Sequence, residues 1–208
     1  MSCTMRRLWM SLPLIVLSLV PLSGRSEDKP ADEGWVELFN GKDLTGWKAS
    51  ENGDWKVEDG AIITPPQRSH LFTEEEFKNF EFKAEVLTTP GSNSGIYFHT
   101  KYEETFPNTG YECQINCTHR DPVKNASLYN VVKVYEPNAK DDEWYTVEII
   151  VKGKDITTKV NGKIVVNYIE PEGVTGGRKL SKGSFALQGH DPKSVVKYRK
   201  ISVKALPD

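Results

Sequence analysis

Phe80-Glu-Phe-Lys-Ala-Glu-Val86 alternates apolar and charged residues without a break, the apolar ones on even positions. A period of two marks a strand with one face against a core, because successive side chains of an extended chain point to opposite sides. Working outward, short runs of the same kind recur at Trp35–Phe39, Trp55–Val57, Ala61–Ile63, Gly95–Thr100, Tyr111–Cys117, Trp144–Lys152, Ile156–Val160, Lys163–Tyr168, Phe185–His190 and Val195–Leu206. Asp59-Gly60 and Asn161-Gly162 separate adjoining runs by two residues suited to left-handed backbone, which predicts two hairpins. Between 198 and 201 the apolar phase slips by one, which predicts a bulge. Only Thr73-Glu-Glu-Glu-Phe77 reads as helical, a capped turn or two. Roughly ten short strands separated by turn signals predict an all-β sandwich or jelly roll in a single domain.

The chain has 208 residues, 27 % of them charged, and a formal net charge of −2. Its first segment reads as an address. Arg6 and Arg7 precede an apolar run, Leu8–Val20, and small residues follow at Ser23, Gly24 and Ser26. That is the plan of a secretory signal peptide, with an apolar stretch too short for comfortable spanning of a bilayer. We assign 1–26 to the signal peptide, 27–33 to a linker and 34–208 to the domain. Cleavage would remove three arginines and no acid, leaving 24 basic against 29 acidic residues, a net −5. Such a chain has no footprint for nucleic acid and no call for stable membrane insertion. The expected location is exported, periplasmic or extracellular.

Cys113 and Cys117 remain after cleavage. Four residues of strand span about 13 Å, beyond the ~7 Å limit between Cα atoms of a disulfide, so both read as buried free thiols.

Three strands carry unusual residues on the face away from the core. Tyr97 and His99 oppose Ile96 and Phe98; Glu112, Gln114 and Asn116 oppose Cys113 and Ile115; Gln188 and His190 oppose Phe185 and Leu187. A solvated face favours Lys, Glu, Thr and Ser, whereas amides, imidazoles and an aromatic ring suit a sugar. One carboxylate followed by two amides, at 112, 114 and 116, argues against a two-carboxylate glycosidase. His70 and His119 read as solvated loop residues, and Asp121 lies beyond its strand without an expected role.

Leu38-Phe-Asn-Gly-Lys-Asp-Leu-Thr-Gly-Trp47, Asn93-Ser-Gly-Ile-Tyr-Phe98, Gly110-Tyr-Glu-Cys-Gln-Ile115, Ala186-Leu-Gln-Gly-His190 and Tyr198-Arg-Lys-Ile201 stand in order along the chain. Together they resemble the 3-keto-disaccharide hydrolase family over residues 34–206. The resemblance implies a concanavalin A-like jelly-roll sandwich and an exported enzyme cleaving 3-keto-glycosides by elimination or net hydrolysis. A ketone at C3 acidifies the C2 proton. A base removes it, an enolate forms, and the C1 substituent leaves. On this reading Glu112 and His190 are the proton-transfer candidates. Asn93, Tyr97, His99, Gln114, Asn116 and Gln188 are the substrate-binding candidates. His99, Glu112 and His190 also make a two-histidine, one-carboxylate set for one divalent metal ion, no other cofactor being expected. Whether Glu112 acts as ligand or base stays open. The chain departs from the family pattern at His99, where arginine is common, and at Asn116, where aspartate is. The alternative is a non-catalytic, lectin-like carbohydrate-binding module with Tyr97, Tyr111 and Trp144 stacking on sugar rings. Against that stand Trp47, Trp55 and Trp144 read as core fillers.

Overall fold

The strand on which the sequence reading turns, β6 (Phe80–Thr88), is buried at every even position and half-buried at every odd one. In this computed structural model, which describes Met1 and residues 34–208, it lies at the centre of an eight-stranded antiparallel sheet. The expected signal peptide and linker lie outside the described residues. That sheet runs β11 (Lys163–Ile169), β10 (Asp155–Val160), β9 (Tyr145–Lys152), β6, β13 (Val196–Ala205), β4 (Ala61–Ile63), β3 (Lys56–Glu58), with β1 (Trp35–Glu37) also paired to β13. A second sheet runs β2 (Trp47–Ala49), β5 (Ser69–Thr73), β12 (Ser184–Gly189), β7 (Ser94–Thr100), β8 (Tyr111–Ile115). The two pack face to face as the all-β jelly-roll sandwich expected. No helix among the described residues is long and apolar enough to cross a membrane.

The core between the sheets joins Phe80, Phe82, Val147 and Ile149 of the first to Ile96, Phe98, Cys113, Phe185 and Leu187 of the second. Both predicted hairpins form, with left-handed backbone at Asp59, Gly60, Asn161 and Gly162. The β13–β6 register shifts between Arg199 and Ser202, where the phase slip places the bulge, and Lys200 carries the positive φ. Cys113 and Cys117 are buried and free, as read.

Two expectations fail. Thr73 does not start a helical turn: it pairs with Trp47 across β2 and β5, and its hydroxyl donates to the Glu75 carbonyl and accepts the Phe185 N–H. The group that would cap a helix is spent on the sheet. The strands β2 and β5 were also absent from the sequence reading. Ser69-His-Leu-Phe-Thr73 is buried at all five positions, so it has no wet face to generate an alternation.

That double burial extends through the second sheet. Every residue of β5, β7, β8 and β12 is buried. The face away from the core is covered by connecting segments, with Tyr102 and Phe106 packed on Phe72, Tyr97 and Ala186. A polar clasp crosses the core to hold it: the Tyr198 hydroxyl of β13 donates to Ser94 Oγ at 2.7 Å, and Ser94 donates to the Gln188 carbonyl. The central strands of the second sheet are thereby fixed against the first.

Phe185 packs against Phe77, Phe80 and Phe82 under the covered sheet. Phe185→Ala should cost about 3–5 kcal/mol in denaturant unfolding. Val36→Ala, at an exposed position, should stay within about 0.5 kcal/mol of the parent.

Candidate active site

Antiparallel pairing sets Tyr97 opposite Glu112 and Gly95 opposite Gln114, all on the covered face. The Glu112 carboxyl lies over Gly95, where a Cβ would come within 2.6 Å of Oε1; glycine is what gives the carboxyl room. Glu112 is 4 % exposed. Burial raises its pKa from 4.5 to about 7, against the opposing pull of the Tyr97 hydroxyl and the Arg178 guanidinium, while nearby Asp121 adds to the rise. Arg178 Nη2 stands 3.6 Å from Glu112 Oε2, and the guanidinium lies over the Tyr97 ring. Burial also raises the pKa of the Tyr97 phenol, keeping it protonated. Gln188 Nε2 donates to that phenol at 3.2 Å, which leaves Gln188 Oε1 buried without a partner among the described residues. Arg178 Nη1 is likewise buried and unpartnered.

A second network runs beside the first. Gln114 Nε2 donates to Asn93 Oδ1 at 2.7 Å. Asn93 Nδ2 then faces His119 Nδ1 at 3.3 Å and His190 Nε2 at 3.4 Å. His119 Nδ1 also accepts the Asp121 N–H, so it carries no proton there. His190 Nδ1 meets Asp191 Oδ2 at 2.7 Å. With an amide N–H₂ facing Nε2 and a carboxylate at Nδ1, the His190 proton sits on Nδ1 and its lone pair faces inward. Against the upward push of burial, bonds from His190, the Lys193 N–H and Ser194 hold Asp191 down at about 2. Burial lowers the pKa of His119, and neighbouring His190 lowers it further.

Asn93, Tyr97, Glu112, Gln114, Gln188 and His190 thus line one cavity of about 210 Å³, closed by Phe106, Asp121 and Tyr129. Two expected members are elsewhere. His99 has a φ of 57°, beside a register shift in the β12 pairing, so the alternation breaks and its ring packs on Phe80 and Phe98. Nε2 donates to the Lys78 carbonyl and Nδ1 accepts the Ser181 N–H, so neither nitrogen is available to a ligand. Asn116 donates to the carbonyls of Asp121 and Val123 and accepts the His119 N–H; it shapes the loop that carries His119 and Asp121 instead of facing a sugar. The set of His99, Glu112 and His190 therefore does not assemble around a divalent ion. Among the described residues no group of three or more His, Cys, Asp or Glu is placed to hold a metal.

Four expectations about individual residues also change. His70 is 0 % exposed in β5, and burial lowers its pKa to about 4 even though Glu51 lies beside Nδ1. Tyr111 faces the core, stacks on Phe98 and donates to Glu170, which also accepts the Leu180 N–H. That clasp anchors the loop carrying Arg178, and Gly177 beside it sits so close to Asn108 that a Cβ would come within 1.9 Å of its carbonyl oxygen. Trp144 lies under Arg199, with the guanidinium 3.9 Å from its ring centroid. Asp121, given no role in the sequence, lines the cavity.

Comparison with known proteins identifies the family and the fold. Residues 34–204 match the family model described as the 3-keto-alpha-glucoside-1,2-lyase-like domain. A curated protein of Bacteroides thetaiotaomicron named 3-keto-disaccharide hydrolase is 25 % identical over 174 residues, covering 67 % of this chain; the chain spans 60 % of that relative's length. A crystallised candidate glycosyl hydrolase from Parabacteroides distasonis superposes with a TM-score of 0.73 at 25 % identity, covering 84 % of this chain and 95 % of that one. A Bacillus licheniformis β-glucanase superposes at 0.56 with 11 % identity, covering 85 % of this chain and 100 % of that one, a likeness of fold alone.

A carboxyl whose folded pKa, about 7, lies above its ordinary 4.5 binds its proton more tightly in the folded state. Its contribution is therefore present at low pH and lost as pH rises through 7. Between about pH 4 and pH 9, the stability of Glu112→Gln relative to the parent should shift in the variant's favour by about 3 kcal/mol, read by urea melts at each pH.

Proposed function

From a chain that belongs to the 3-keto-alpha-glucoside-1,2-lyase-like family, we propose an exported enzyme that cleaves 3-keto-glycosides. Glu112 removes the C2 proton and the C1 substituent leaves by β-elimination. Addition of water to the resulting enone completes a net hydrolysis. The observation that carries this reading is the buried Glu112 carboxyl, poised near neutral pH inside a small polar cavity beside an arginine. A base needs a pKa near the working pH, and burial is the ordinary means of raising a carboxylate to it.

Each neighbour has a part that follows from its hydrogen-bonding sense. The ketone oxygen, which becomes the enolate, needs a donor, and the unpartnered Arg178 Nη1 belongs to a guanidinium adjacent to the base. Gln188 Oε1 accepts only, so it suits a sugar hydroxyl and rejects the ketone. Tyr97 positions the carboxyl. His190, held by Asp191 at Nδ1, takes a proton from solvent at Nε2 as the Asn93 amide 3.4 Å away gives way, and delivers it to the departing glycosidic oxygen. Asn93 spends its amide on Gln114, His119 and His190, so it positions the imidazole. The apolar run with Arg6 and Arg7 before it serves export on this reading.

The test is turnover of a 3-keto-glucoside against its unoxidised parent. The keto sugar alone should be cleaved, with kcat/KM rising as pH climbs through about 7 and the base ionises. Glu112→Gln should lose about 10²–10⁴-fold. His190→Gln should lose about 10²-fold or more with an alkyl leaving group and far less with nitrophenol, which needs no proton. Binding of either sugar without cleavage would reject the enzyme and favour the carbohydrate-binding module.

A further inference from the structure

The cavity at Glu112 does not end at His190. The same ring lines a second, larger cleft of about 550 Å³, formed where the loop after β8 meets the loop after β12. Its walls are Gly91, His119, Arg120, Pro192 and Lys193, with Asp191 behind His190. His190 therefore stands at the junction of two spaces, the inner one walled largely by buried polar groups and the outer one by the exposed Arg120, Pro192 and Lys193. Across a glycosidic bond the oxygen to be protonated lies between glycone and leaving group. With His190 as its acid, the inner space takes the oxidised sugar and the outer cleft takes what departs.

The charges of the outer cleft differ from those of the inner cavity. Glu112 and Asp121 belong to the inner lining. In the outer lining Arg120 and Lys193 carry fixed positive charge, both exposed, and neither has an ion-pair partner among the described residues. The acid there, Asp191, is already taken by His190 Nδ1, the Lys193 N–H and the Ser194 hydroxyl. The cleft therefore offers two unspent cations beside the leaving-group side of His190. We propose that it is the aglycone subsite and that it selects 3-keto-glycosides whose leaving group bears an anionic substituent such as a carboxylate. This rests on the function proposed above and goes beyond it in naming the class of aglycone.

Two aryl 3-keto-glucosides test it, one carrying a 2-carboxyethyl chain on the ring and one the corresponding 2-carbamoylethyl chain. The ethylene spacer keeps the leaving-group acidity alike, so the pair differs in charge at the far end. The acid should be preferred in kcat/KM by about 5- to 10-fold at low salt, and the preference should fall as salt screens it. In the doubly substituted Arg120→Gln, Lys193→Gln protein the ratio should fall to about 1. Equal kcat/KM for the two in the parent, or a preference that survives in the double variant, overturns the proposal. If neither glycoside is cleaved, the function proposed above fails, and the cleft is still read by calorimetry with free 3-(4-hydroxyphenyl)propionate. Weaker binding to the double variant than to the parent supports an anion-selective cleft; equal binding or none overturns it.

Discussion

A carboxyl held out of water on a sheet face is the constraint from which the rest of this structure follows. Burying an ionisable group is costly unless it stays neutral or finds partners, and Glu112 does some of each. Its pKa sits near 7, and Tyr97 and Arg178 supply the opposing stabilisation. That arrangement needs a residue without a side chain beneath the carboxyl, which Gly95 provides. It also needs a cover over a face that an antiparallel sandwich ordinarily leaves wet. The cover is assembled from connections: Phe106 from one, Asp121 and Tyr129 from another, Arg178 from a third. Two of these connections are tied back to the sandwich by hydrogen bonds, from Tyr111 to Glu170 and from the Tyr129 N–H to the Glu112 carbonyl.

The fold was legible in the sequence wherever one face of a strand met water. β6 and β9 alternate cleanly because their odd or even residues are partly exposed. Both hairpins were marked by residues that tolerate left-handed backbone, and the β13 bulge by a slip in phase. β5 was not legible, because a strand buried on both faces has no period. His70 was misread for the same reason: its polarity suggested a loop, whereas burial keeps the ring neutral within the sheet, against the opposing pull of Glu51 beside Nδ1.

The site was legible to the extent that strand alternation holds. It brought Tyr97, Glu112, Gln114 and Gln188 to one face, and the structure keeps them there. It failed at His99, where one left-handed residue turned the ring toward Phe80, and at Asn116, which lies just beyond β8 and serves its loop. Asp191 had a signal of a kind, being the residue next to His190 at a strand end. Arg178 had none: it comes from a glycine-containing loop whose approach to Glu112 depends on contacts distant in sequence. The groups that strands deliver were thus foreseeable, and the groups that loops deliver were not.

The two cavities that share His190 give the proposed reaction a direction, with proton removal assigned to the inner space and departure to the outer one. The central claim is that cleavage begins with loss of the C2 proton. It is tested most directly with a 3-keto-glucoside deuterated at C2, following both the rate and the isotope content of the released sugar. The account predicts slower turnover than for the protiated substrate and a product in which solvent hydrogen has replaced the C2 deuterium. Equal rates with the deuterium retained would mean that C2 takes no part and that the bond at C1 is broken by direct displacement.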